Sequence, residues 1–227
     1  MLKYKTILLD VDGTLLDFNA SEKEALEKVF AKHQFILDEQ VKNTYDRINH
    51  SLWKQYEQGI VDRNTVIYTR FVKLFEELGI NGDGIGFEDD YQELLGEGHT
   101  LIDGAKELLE YLYLKYDLYI VTNGVTKTQM KRLQDSKLNI YFKDIFVSEA
   151  TGFQKPMKEY FDYCFQRIPN IDLSKTMIIG DSLSSDMKGG NNASITTCWL
   201  NPDDLVNKEM ISIDYKIKDL KELFNIL

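Results

Sequence analysis

The chain has little cysteine, few histidines, no long apolar run and a shortage of positive charge, and each shortage excludes something. Its 227 residues hold two cysteines, Cys164 and Cys198, in apolar surroundings and without C-x-x-C spacing. Neither a disulfide framework nor a cysteine zinc site is expected, a reducing compartment fits, and the chain reads as cytoplasmic. No apolar run approaches the roughly 20 residues that a membrane-spanning helix needs. The run that follows Lys3 and Lys5 is cut by Asp10, too early for a signal-peptide core. Lys and Arg number 27 against 37 Asp and Glu, a net charge of -10, which repels a phosphate backbone. Nucleic acid polymers and membranes are therefore not expected partners, and no internal repeat or low-complexity segment is present.

What is present is the composition of a folded enzyme-sized chain: 43% hydrophobic and 28% charged residues, close to the globular average, in a length that allows one or two domains. Three short apolar runs, Thr6 to Leu9, Leu118 to Val121 and Met177 to Ile179, each stop at a polar cluster. The clusters are Asp10 to Thr14, Thr122 to Gly124 and Gly180 to Ser182. Continuous apolar strands without alternation suit a parallel sheet covered on both faces. Helical spacing intervenes at Leu108, Leu109 and Leu112, at Phe161, Cys164, Phe165 and Ile168, and at Leu220, Leu223, Phe224 and Leu227. Alternating strands and helices predict an α/β fold, with ligands bound beyond the carboxyl ends of the strands, where the polar clusters fall.

Spacing predicts an insertion. Thr122 to Lys155 and Lys155 to Asp181 are each about one β-α-β unit of roughly thirty residues, whereas Asp12 to Thr122 is far too long for one crossover. The excess, residues 17–97, reads as an all-helical module, with residues 1–16 and 98–227 forming the α/β core. Ser21 and Glu24 are spaced as a capping box ahead of Leu26, Val29 and Phe30, and Val66, Phe71, Leu74 and Phe75 continue the helical pattern. The stretches Gly79 to Gly86 and Gly96 to Gly98 are candidate bends.

Asp10 and Asp12 flank one residue at a strand end, so both side chains are expected on one side, where crowded carboxylates can divide the work of nucleophile and general acid–base. Gly13 allows close approach of backbone to a ligand, and its amide is a candidate anion contact. Asp181 ends another strand and Asp186 follows shortly, so one sheet edge would gather four acids. A cation sharing that site is the economical explanation, and oxygen ligation favours Mg²⁺. Lys155, ahead of Pro156 in what reads as a first helical turn, can balance charge on a transferred phosphoryl group. Thr122 and Asn123 offer a hydroxyl and an amide to phosphate oxygens. Ser182, Ser184 and Ser185 have no histidine base spaced to activate them and read as loop and capping residues. His99 reads as a hinge or packing residue.

Together Asp10-Val11-Asp12-Gly13-Thr14, Thr122-Asn123, Lys155-Pro156 and Gly180 to Asp186 resemble the four motifs of the haloacid dehalogenase superfamily. The resemblance implies a Rossmann-like parallel-sheet core with an inserted all-helical cap. It implies Asp10 as a nucleophile that forms an aspartyl-phosphate, Asp12 as acid and then base, and Thr122 and Lys155 as phosphate holders. It also implies Mg²⁺ held by Asp10, the Asp12 carbonyl and Asp181, with Asp186 in support. The dehalogenases that resemble it lack the second acid and need no metal, so Asp12 favours a phosphatase.

Leu15 to Phe18, Gly98 to Gly104, Val121 to Val125 and Thr151 to Pro156 are similar to the noncanonical pyrimidine 5′-nucleotidases of bacteria. That implies a small phosphate monoester as substrate, a pyrimidine nucleotide in particular; separately, a monomer or weak homodimer is expected. Sugar phosphates or phosphoglycolate, including a phosphomutase reaction, are the alternative on the same fold. A phospho-receiver domain is disfavoured by the second acid and the insertion, and a retired binding module by the presence of Asp10, Asp12, Lys155 and Asp181 together. Among the aromatics Phe18, Tyr45, Trp53, Tyr56, Tyr68, Phe71, Phe75 and Tyr91, most are expected in the module's own small core, with Phe18 set apart by its place just after the first motif.

Overall fold

β1 (Thr6–Leu9) leads into four helices, α1 (Phe18–Lys32), α2 (Glu39–Glu57), α3 (Arg63–Leu78) and α4 (Gly84–Leu95), before the α/β pattern resumes. It resumes with α5 (Ala105–Leu112), β2 (Asp117–Thr122), α6 (Thr126–Asp135), β3 (Asp144–Val147), α7 (Ser148–Thr151) and α8 (Lys158–Phe165). It finishes with β4 (Thr176–Gly180), α9 (Lys188–Asn192), β5 (Thr196–Leu200) and β6 (Tyr215–Ile217). The structure is a computed structural model that describes residues 3–227.

The six strands form one parallel sheet in the order β3-β2-β1-β4-β5-β6. β1 is buried in the middle, paired to β2 on one side and β4 on the other. The chain builds outward from β1 through β2 to β3 and then crosses back to β4, so the strand order reverses at β1. In open α/β sheets that reversal opens a crevice beyond the strand ends. Period-two alternation serves both faces: Ile7 and Leu9 pack with Leu108, Leu112, Leu118, Ile120, Leu220 and Leu223. Leu8 packs on the other face with Tyr119, Val121, Phe161, Cys164 and Ile178. Both faces being apolar is why these strands read as unbroken runs.

The chain divides into two compact units, Met1–Phe18 with His99–Leu227, and Asn19–Gly98. The division falls after Phe18 and after Gly98, so Asp17 and Phe18 go with the α/β unit and Gly98 with the helical one. In the helical unit, α2, α3 and α4 each begin at an aspartate whose carboxylate caps the helix: Asp38 accepts from Val41 N at 2.9 Å, Asp62 from Thr65 N at 2.7 Å and Asp83 from Ile85 N at 3.0 Å. Gly79 closes α3 in the left-handed region at φ 66°, so a backbone turn that disfavours side chains separates α3 from α4. Phe71 is central, its ring 5.2 Å from Tyr45, 4.8 Å from Phe87 and 5.2 Å from Tyr91. Tyr45, Tyr56, Phe71, Phe75 and Tyr91 are all buried, as expected of a small aromatic core, whereas Tyr68 is 40% exposed.

Four local expectations are corrected. Ser21 and Glu24 are not a capping box, because α1 already starts at Phe18 and Ser21 is buried within it. Gly84 and Gly86 lie inside α4, so the glycine-rich bend is confined to the turn between α3 and α4. Pro156 is not in a helical first turn: the Lys155–Pro156 peptide is cis and α8 starts at Lys158. The C-terminal apolar spacing forms a tighter 3₁₀ helix, Leu220–Asn225, capped by Asp219. Among the described residues no helix is long and apolar enough to cross a membrane.

Candidate active site

Both middle strands end in an acid. Asp10 follows β1 and donates its amide to Ile179 O of β4 at 3.0 Å, so the sheet ladder itself fixes the backbone. Asp181 follows β4, and Asp186 sits in the wide helical turn Leu183–Met187 one turn further on. These three carboxylates offer oxygens that all lie within 4.8 Å of one another.

Lys155 enters the cluster from the segment ahead of α8. The residue is only 1% exposed, and its ammonium donates to Asp10 Oδ1 at 2.6 Å, to Asp186 Oδ1 at 2.6 Å and to Val121 O at 2.8 Å. All three hydrogens are engaged. Burial opposes the charge on Lys155, but Asp10 and Asp186 outweigh it and raise its pKa. Burial, with help from Asp186 and Asp181, holds the Asp10 carboxyl well above the usual carboxylate range despite Lys155. Burial and then Asp186 push Asp181 up to about 7. One ammonium among three acids leaves negative charge in excess, and only oxygen donors converge on it. The donor set therefore fits a hard divalent cation such as Mg²⁺.

Gly13 clears the space for one of these acids. A Cβ on Gly13 would come 2.5 Å from Asp181 Oδ2, and Gly13 adopts φ +74°. The turn after β1 therefore excludes a side chain twice over, by shape and by crowding. The Gly13 amide, expected to be an anion contact, instead donates to Leu16 O at 2.9 Å, so Gly13 supplies clearance and not a donor.

Asn123 also differs from expectation. Its amide pairs with the backbone of Lys155 in both directions, Nδ2 to Lys155 O and Lys155 N to Oδ1, each at 2.9 Å. Asn123 thus locks the segment that carries the lysine. Thr122, 1% exposed, accepts at Oγ1 from Gly124 N at 3.2 Å and Gln129 Nε2 at 2.9 Å. With both lone pairs engaged, its hydroxyl hydrogen is the valence left to donate.

Asp12 is the main departure from the sequence reading. Its carboxylate is not a member of the three-acid cluster but is held by α6, accepting from Gln129 Nε2 at 2.7 Å and from Arg132 Nη1. Gln129 and Arg132 escaped the sequence reading because polar helix residues usually face solvent. A signal was available: α6 offers only Met130 and Leu133 as large apolar residues, so a helix covering the sheet edge there must bury polar ones. Ser182 accepts from Ser185 N at 3.2 Å, a capping role as expected. His99 is exposed at the point where the chain re-enters the α/β unit.

A doubly covered parallel sheet with aspartates at the ends of two adjacent middle strands and a buried lysine between them defines a hydrolase of the acid-cluster kind. Residues 4–194 match the haloacid dehalogenase-like hydrolase family. The chain is 51% identical over 227 residues to YfnB of Bacillus subtilis, named there only as a HAD-hydrolase, covering 100% of this chain and 97% of that one. It is 38% identical to the pyrimidine 5′-nucleotidase PynA of Streptococcus pneumoniae, covering 99% and 95% of the two chains. It is 29% identical to the pyrimidine 5′-nucleotidase YjjG of Escherichia coli, covering 100% and 99%. The crystal structure of YfnB, described as bound to magnesium and as revealing interdomain movement, superposes with a TM-score of 0.94 over 100% of this chain and 99% of that one. The chain belongs to the haloacid dehalogenase-like hydrolases, and it is an enzyme of the phosphoric monoester hydrolase class.

Proposed function

We propose that this enzyme hydrolyses nucleoside 5′-monophosphates, pyrimidine nucleotides by preference, through an aspartyl-phosphate on Asp10, in the cytoplasm. The observation that carries the chemistry is the grip of Lys155 on Asp10 at 2.6 Å within a cluster of three acids. The full-length likeness to PynA and YjjG supports the substrate class.

Lys155 holds Asp10 Oδ1, which orients the carboxylate and leaves Oδ2 as the attacking oxygen. Attack forms the Asp10 O–P bond and breaks the bond from phosphorus to the nucleoside 5′-oxygen, which takes a proton from Asp12. Asp12 then removes a proton from water, the water oxygen bonds to phosphorus, and the Asp10 O–P bond breaks to release inorganic phosphate. The Thr122 hydroxyl donates to a phosphoryl oxygen during both steps, and the Lys155 ammonium, its hydrogens held by Asp10, Asp186 and Val121, balances the phosphoryl charge at close range. Asp10, Asp181 and the Asp12 carbonyl would hold Mg²⁺, with Asp186 behind them. When bound, the ion neutralises phosphate charge and lowers the cost of bringing an anionic substrate to anionic groups.

The test is phosphate release, with Mg²⁺ present, from a panel of nucleoside monophosphates, sugar phosphates and phosphoglycolate at equal concentration. Preference for UMP, dUMP or dTMP supports the reading, and preference for a sugar phosphate or phosphoglycolate overturns the substrate and keeps the chemistry. Asp10→Asn is expected to abolish turnover with the fold intact, and substantial residual activity would remove Asp10 as nucleophile.

A further inference from the structure

Gln129 and Arg132 lie one turn apart on α6, and each is 1% exposed. Burying an amide and a guanidinium is costly unless their polar atoms find partners. Here the partners are residues of the proposed reaction. Gln129 Nε2 divides its hydrogens between Asp12 Oδ2 at 2.7 Å and Thr122 Oγ1 at 2.9 Å. Gln129 Oε1 accepts from Arg132 Nη1 at 2.9 Å, which fixes which way the amide faces. Arg132 Nη1 also donates to Asp12 Oδ1. Both carboxylate oxygens are therefore held from one helix, and one amide joins the carboxylate to the threonine hydroxyl.

Gly124 belongs to the same device. A Cβ there would come 2.6 Å from Gln129 Cγ and 2.7 Å from Nε2. The glycine after Thr122 and Asn123 thus leaves room for the Gln129 side chain to pass. Phe18 closes the other side, its ring 5.8 Å from the Arg132 guanidinium carbon. If α6 needed only to cover the sheet, apolar residues at 129 and 132 would do so without the desolvation cost.

We propose that Gln129 and Arg132 are positioning residues that set the plane of the Asp12 carboxylate. The inference rests on the reading of Asp12 as the acid–base group. Its signature is dependence on the leaving group. A nucleoside 5′-oxygen departs only with a proton, whereas p-nitrophenolate departs without one, so misalignment of Asp12 should slow the leaving-group step for the first alone, while hydrolysis of the aspartyl-phosphate, which Asp12 also serves, slows alike for both.

The experiment uses the full-length enzyme with Mg²⁺, the enzyme in excess over substrate, and compares single-turnover release of uridine from UMP with that of p-nitrophenol from p-nitrophenyl phosphate for Gln129→Met, Gly124→Ala, Arg132→Met and Asp12→Asn, each checked by thermal melting. Gln129→Met keeps the volume and removes the donors. It is expected to lower the single-turnover rate of uridine release by at least about tenfold, part of the roughly 10²- to 10⁴-fold that a general acid contributes. The loss in single-turnover release of p-nitrophenol should be less than about threefold on the same argument. Gly124→Ala should reproduce this pattern by displacing Gln129, and the two variants carry the test if Arg132→Met does not fold. Adding Gln129→Met to Asp12→Asn should cost nothing further, because both act through one group. Equal losses on both substrates, or losses that add to that of Asp12→Asn, overturn the positioning role. If Asp12→Asn itself shows no contrast between the substrates, the acid–base reading falls and this inference with it. A contrast for Asp12→Asn without one for Gln129→Met refutes the inference alone.

Discussion

The carboxylate of Asp186 occupies the place where a side chain on Gly180 would stand: a Cβ there would come 2.2 Å from Asp186 Oδ2 and 2.4 Å from its Cγ. On its other side Asp186 is pinned by Lys155 Nζ at 2.6 Å and by the Ser182 amide at 3.1 Å. The acid is fully buried, with no direction in which to retreat. Gly180→Ala is therefore expected to break the Lys155–Asp186 pair and to cost about 3 kcal/mol, as loss of one partner in a buried pair does. Urea denaturation checks this. Gly152→Ala, where no atom lies within 4 Å but φ is +75°, is the control and should cost only about 1 kcal/mol of backbone strain.

The protonation of Asp181 gives a pH dependence with a definite sign. Its carboxyl is raised from 3.8 to about 7 in the fold, by burial and then by Asp186. The native state therefore binds this proton more tightly than the unfolded chain, and the stability it contributes is full below pH 3.8 and lost as pH rises through about 7. Asp10 shifts in the same direction. Metal-free enzyme should melt at a lower temperature at pH 8 than at pH 6. Saturating Mg²⁺ should remove that difference, and its affinity should weaken as pH falls. Calorimetry with EDTA or Mg²⁺ across this range decides it, and a metal-free melting temperature that rises from pH 6 to 8 would count against the assignment.

The helical unit carries its own buried ion pair. Arg70 Nε and Nη2 meet the two oxygens of Glu88 at 2.7 and 2.6 Å, with side-chain exposures of 2% and 1%. Asn49 Oδ1 accepts from Arg70 Nη1 at 3.1 Å, and the guanidinium carbon lies 4.7 Å from the centre of the Tyr91 ring. Glu88→Gln leaves that cation uncompensated and should cost about 3 kcal/mol, whereas Arg70→Met with Glu88→Leu should recover most of the loss. Equilibrium unfolding of the two variants measures it.

Much of this was legible in the chain because strand ends and chemistry coincide. Leu9 to Asp10 and Gly180 to Asp181 mark where each strand stops and a carboxylate begins, and the long interval from Asp12 to Thr122 announces an insertion. What was not legible depends on contacts distant in sequence. That Asn123 pairs with the backbone of Lys155, and that the Gly13 amide is taken by Leu16, follows from how loops close. Gln129 and Arg132 have the residue types of a solvated helix face, and only their contacts with Asp12 and Thr122 show why they are buried. Ser21 and Pro156 misled for a local reason: each has the residue type of a helix start without the backbone position.

The place of β1 in the sheet bears on how the protein is made. Thr6 to Leu9 leave the ribosome well before their hydrogen-bonding partners, residues 117–120 and 176–179. At about 5–20 residues per second, the strand that carries Asp10 waits several seconds for its first neighbour and longer for its second. The helical unit, contiguous from Asn19 to Gly98, is translated in full during that wait. Synthesis thus runs from a finished insert to an unfinished host. The segment that must stay unpaired longest is a four-residue strand of apolar side chains ending in a charge, a short edge that offers little to a second nascent chain.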